Sequence, residues 1–245
     1  MKLMARPPVV LFGSMKELWQ WIWIVTFAIA FAWVESSAVV YLREISFGGS
    51  FSSPFFLDWE NGQLFADATI RIELVREIAT ILILVSVGWA AGKNALQKFC
   101  FFMIVFGIWD IFYYIWLWAM VRWPDSLMSW DLLFIVPLPW VAPVITPLLI
   151  ALAMVVAGLF LLYYDEKGYI IYWRWYDWGI ELICAFLVIV AFCWDWKNIL
   201  HTGIPNPFAW WLYLPAYLLA IVYFGARLKQ IISSSRPHLR DPQAR

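Results

Sequence analysis

The sequence predicts an all-α fold, a polytopic membrane helical bundle of about six transmembrane helices with both termini cytoplasmic. Three observations predict it. Hydrophobic residues make up 64% of the chain and charged residues only 14%, whereas soluble domains are nearer half apolar and a quarter charged. Apolar runs of the roughly 20 residues needed to cross a bilayer recur between the charges. Tryptophan is heavily used, at 19 residues, and its ring is suited to the membrane–water boundary.

Reading between charges gives spans at 18–42, 73–92, 99–121, 140–164, 175–194 and 209–226. The first opens after a basic start and resembles a signal peptide, but the run is too long for one and carries Trp19, Trp21, Trp23 and Trp33. It is read as an uncleaved anchor. Residues 43–69 form a long outer loop with Phe47, Phe51, Phe55, Phe56 and Trp59 spaced through it, suited to the membrane surface or to a lid. Residues 123–147 hold Pro124, Pro137, Pro139, Pro143 and Pro147, so this stretch should be irregular and partly re-entrant before the fourth span. One transmembrane domain covers residues 1–232, and residues 233–245 form a polar, basic tail expected to lie near anionic lipid.

Basic residues orient the bundle. With a cytoplasmic N-terminus, twelve fall inside and five fall outside or at the outer edge, among them Arg43 and Arg76. The expected location is the plasma membrane, the inner one in a bacterial cell. The lipid bilayer is the expected partner, together with a second copy of the chain or other membrane subunits. A formal net charge of zero gives no reason to expect nucleic-acid binding.

Several chemistries lack their residues. Cys100, Cys184 and Cys193 lie in apolar runs, and His201 and His238 lie outside them. This arrangement supplies no internal bis-histidine haem, and no haem-attachment, iron–sulfur, zinc, P-loop or dinucleotide motif occurs.

Charges inside spans carry the functional reading, because each costs about 2.5–3.5 kcal/mol on insertion scales and so tends to face protein or water. Asp110 falls midway along the third span, with Tyr113 and Tyr114 at i+3 and i+4 placed to donate to it. Glu35 shares its face with Ala28, Ala32 and Ala38, small residues that let a neighbouring helix approach. Glu73, Arg76 and Glu77 open the second span, which is too short to cross unless they lie within the membrane, although Arg76 has the length to snorkel outward. Glu181 lies deeper on the fifth span, beyond an interfacial Arg174–Asp177 pair. Glu35, Glu77 and Asp110 are expected to converge in the outer half with Arg76 as counter-ion. Two of their charges would then be uncompensated, so that carboxyls are protonated or a cation is bound. An all-oxygen set suits a hard divalent cation.

These features predict a small transporter or binding protein handling a proton, a cation or a small amphipathic ligand at the carboxylate cluster. The alternatives are a non-catalytic subunit of a larger membrane complex and a carboxylate-based enzyme acting on a lipid-like substrate.

Overall fold

The computed structural model describes residues 15–47, 68–135, 138–202 and 204–234. The expected aromatic loop at 43–69 and the basic tail at 233–245 lie largely outside them. Seven α-helices and two short strands follow in the order α1 (Met15–Phe47), α2 (Ala68–Ala91), α3 (Ala95–Val121), β1 (Trp130–Phe134), β2 (Trp140–Pro143), α4 (Ile145–Glu166), α5 (Trp175–Cys193), α6 (Trp196–Thr202) and α7 (Trp210–Ser234). Six of the helices are long and apolar enough to cross a membrane.

Helix α3 is the axis of the larger unit, packing against α1, α2 and α4. Its start is defined by Asn94, whose side chain accepts from the Gln97 N–H at 2.9 Å, and its end by Arg122 in the left-handed conformation. Glycines bring its neighbours close. A Cβ on Gly107 would collide with the Ala151 carbonyl oxygen of α4, and one on Gly88 would lie 2.6 Å from the Phe102 backbone nitrogen. The helices therefore touch at backbone level, where van der Waals contact needs no large side chains. The alanine face of α1 turns inward as expected, with Ala28, Ala32 and Glu35 all buried.

The second unit is the α5–α7 pair. Phe192, Phe208 and Tyr213 form its core together with Ala142 of β2. It is tied to α4 by Tyr213, whose hydroxyl donates to the Thr146 carbonyl at 2.8 Å, and by Tyr217, which donates to Leu149 at 3.0 Å.

The proline-rich region differs from expectation in one informative way. Its irregularity is an antiparallel β1–β2 hairpin, pairing Trp130 with Pro143 and Leu132 with Val141. The fourth helix accordingly begins at Ile145 and not at residue 140. Pro147 fits the first turn of α4, where no intrahelical donor is lost. The chain just before β1 caps that turn: Val144 N–H donates to the Ser129 carbonyl at 3.0 Å and Ile145 N–H to Leu127 at 2.8 Å. The hairpin thus closes one end of the bundle, hereafter the hairpin end.

Candidate functional site

A cavity of about 1150 Å³ runs between the α3–α4 face and the α5–α7 pair. Its α3 wall extends from Leu96 to Tyr114, eighteen residues or about 27 Å of helix at 1.5 Å each. All eight residues singled out from the sequence line it: Glu35, Glu73, Arg76, Glu77, Asp110, Tyr113, Tyr114 and Glu181. Arg43 and Asp131 line it as well. The remaining wall is overwhelmingly apolar, with Phe99, Phe102, Met103, Leu152 and Ala157 among its members.

The charged residues other than Glu181 lie toward the hairpin end, and their pairings correct several expectations. Arg76 does not extend outward; its guanidinium bonds Glu35 of α1 and Glu73 one turn before it. Glu35 also accepts from the Thr80 hydroxyl at 3.0 Å. Glu77 also holds the hairpin. Its carboxylate accepts the Ile135 backbone N–H at 2.9 and 3.0 Å, satisfying a donor where β1 ends. Tyr114 donates not to Asp110 but to Asp131 of β1, at 3.0 Å. Neither phenol bonds Asp110 among the described residues, because the i+4 ring is drawn to the hairpin carboxylate.

Asp131 and Arg43 were missed as site residues. Asp131 is 2% exposed and lies 3.6 Å from the Arg43 guanidinium, which also stacks 5.0 Å over the Trp123 ring. The available signal was a lone acid within the apolar stretch 127–136, hidden by the surrounding prolines. The hard-cation expectation also changes. Among the described residues, no three acidic, histidine or cysteine side chains could hold a metal ion together. Arg76 lies between Glu35 and Glu73 and pairs with both.

Four buried polar atoms have no hydrogen-bond partner among the described residues and belong to cavity-lining side chains: Trp109 Nε1, Asp110 Oδ2, Trp140 Nε1 and Glu181 Oε1. Buried polar groups are normally satisfied, so each calls for an explanation. The two acids lie at different depths. Phe99 of α3 and Trp178 of α5 touch, with ring centroids 5.7 Å apart. Asp110 is eleven residues beyond the first and Glu181 three beyond the second, which separates them by about 12 Å along the cavity.

The Arg174–Asp177 pair of the sequence reading takes another form. Asp177 is fully buried and bonds Arg227 of α7 at 2.9 Å, while the Arg174 side chain pairs with Tyr176. No protein-family model, curated protein sequence or solved structure matches this chain.

Proposed function

We propose that the chain is a multi-pass membrane protein that binds a small amphipathic ligand, its apolar chain along the cavity and its polar head at the hairpin end. The carrying observation is one cavity in which a long apolar wall ends in a charged cluster, with four buried polar atoms left without partners. Its volume of about 1150 Å³ is slightly above the roughly 300–1,000 Å³ typical of small-molecule sites, leaving room for a long chain. A pathway for a bare proton or ion needs no apolar wall of this extent. The extent of the apolar wall favours binding or carriage over catalysis.

The proposed topology has both termini in the cytoplasm and the hairpin end outside, supported by the twelve-to-five distribution of basic residues. Met128, 61% exposed beside the hairpin, should label from outside intact cells as Met128→Cys, and Ser234→Cys should not. The reverse pattern overturns the orientation.

Binding is tested by filling the cavity. Ala157→Phe places a ring where Ala157 lines the wall. Lipid extracted from protein purified in nanodiscs should be enriched in one amphiphile over the bulk membrane, and the variant should lose that enrichment while remaining folded. Extracts that match bulk lipid in both proteins refute the reading.

A further inference from the structure

The ligand's head group can be argued from the charges that face it, given the amphiphile reading above. Among the described residues, six carboxyl groups and two guanidinium groups line the cavity. Both guanidiniums are engaged: Arg76 by Glu35 and Glu73, Arg43 by Asp131. Glu77 is held by the Ile135 N–H. A phosphate, sulfate or carboxylate head would enter surplus negative charge, and among the described lining residues both guanidiniums already face carboxylates. Electrostatic complementarity therefore selects against anions and for a cation.

The wall around Asp110 identifies what kind. Phe106, Trp109, Asp110 and Tyr113 recur at helical spacing on one face of α3, and all four line the cavity. The Phe106 and Trp109 rings are 5.5 Å apart and the Trp109 and Tyr113 rings 6.3 Å apart, so they form a continuous aromatic surface beside the carboxylate. A metal ion would find too few oxygens there, whereas an organic ammonium is suited both to aromatic faces and to a carboxylate. Trp109 adds a further requirement. Its side chain is only 5% exposed, and its indole N–H has no acceptor among the described residues. A head with an oxygen next to its nitrogen supplies one.

We propose that the cavity takes a single-chain amphiphile whose head is an ammonium with a neighbouring hydroxyl or ether oxygen, a long-chain amino alcohol being the simplest member. Asp110 is its counter-ion, Trp109 donates to its oxygen, and the rings of Phe106 and Tyr113 flank the cation.

The test uses the full chain in nanodiscs with three probes of similar chain length: sphingosine, palmitate and monopalmitin, which are cationic, anionic and neutral. Native mass spectrometry reads the number bound and their apparent affinities. Wild type should retain one sphingosine, about tenfold or more tighter than either other probe. Asp110→Asn should abolish that preference, and Trp109→Phe should weaken sphingosine by a smaller factor while keeping the order. Equal retention of all three, or a preference for palmitate, overturns the ammonium assignment and leaves amphiphile binding standing. Retention of none overturns both. The wild-type ranking decides the question even if a variant fails to fold.

Discussion

Two groups of buried charge occupy this molecule, and they are built differently. Between α5 and α7, Asp177 meets Arg227 at 2.9 Å, accepts the Tyr223 hydroxyl at 2.5 Å and accepts the Arg174 backbone N–H at 2.7 Å. One carboxylate faces one guanidinium, and both its oxygens are used. Along the cavity, among the described residues, six carboxyls face two guanidiniums, and Asp110 and Glu181 each keep an oxygen without a partner. Burial is common to both groups. What separates them is whether the protein itself completes the charges. A completed pair fastens two helices; an incomplete set beside a cavity leaves its completion to something else.

The largest effect expected from this comparison is at the completed pair. Arg227 is 9% exposed and Asp177 fully buried, so Arg227→Met would strand a carboxylate to which no other cation among the described residues is bonded. Breaking a buried pair in this way costs about 3–5 kcal/mol. The apparent melting temperature in a fixed detergent should fall steeply, and the double variant with Asp177→Asn should recover much of the loss. An unchanged melting temperature for Arg227→Met alone would show that α5 and α7 are held by packing and not by charge.

A smaller effect, with a definite sign in pH, is expected at the hairpin. Burial pushes the Asp131 carboxyl up to about 6, against the opposing pull of Arg43, the Tyr114 hydroxyl and the Leu132 N–H. In an unfolded chain an aspartate titrates near ~3.9. The folded state therefore holds this proton more tightly than the unfolded state does. The resulting stability is fully present below about pH 4 and is lost as pH rises through about 6. Melts of wild type between those values should show a decline that Asp131→Asn lacks. Parallel pH curves for the two proteins would assign the decline to another group.

The sequence exposed the charges but not their partners, for a physical reason. Glu35, Glu73, Arg76, Glu77, Asp110 and Glu181 are visible because a charge in an apolar run is conspicuous, and all six line the cavity. Partner choice depends on which helices are neighbours and how they are rotated. Tyr114 could reach Asp110 within its own helix, yet it bonds Asp131, seventeen residues on, once the hairpin folds back. Neither Arg43 nor Arg227 stands out in the sequence as a functional charge; both are engaged with buried acids. The hairpin was legible only as disruption. Prolines exclude helix, but they do not say that Trp130 and Pro143 will pair.

The smallest stability effect is expected where the charge is least completed. Asp110→Asn keeps the size and shape of the side chain and removes one negative charge from a wall that already has a surplus. Asp110 Oδ2 has no partner among the described residues, so the substitution removes no hydrogen bond at that atom and strands no cation. The cost of an altered buried polar group comes mainly from the partner it leaves unsatisfied, and here that partner is missing. The ligand-free melting temperature should therefore change by no more than a few degrees, about what 1 kcal/mol produces in a chain of this size, and a slight rise is consistent with relieved repulsion. Set beside Arg227→Met in the same detergent, this contrast is the direct test of the difference between the two groups. A loss at Asp110 as large as that at Arg227 would make Asp110 a structural residue completed from within the fold, and the cavity would lose the charge proposed to anchor its ligand.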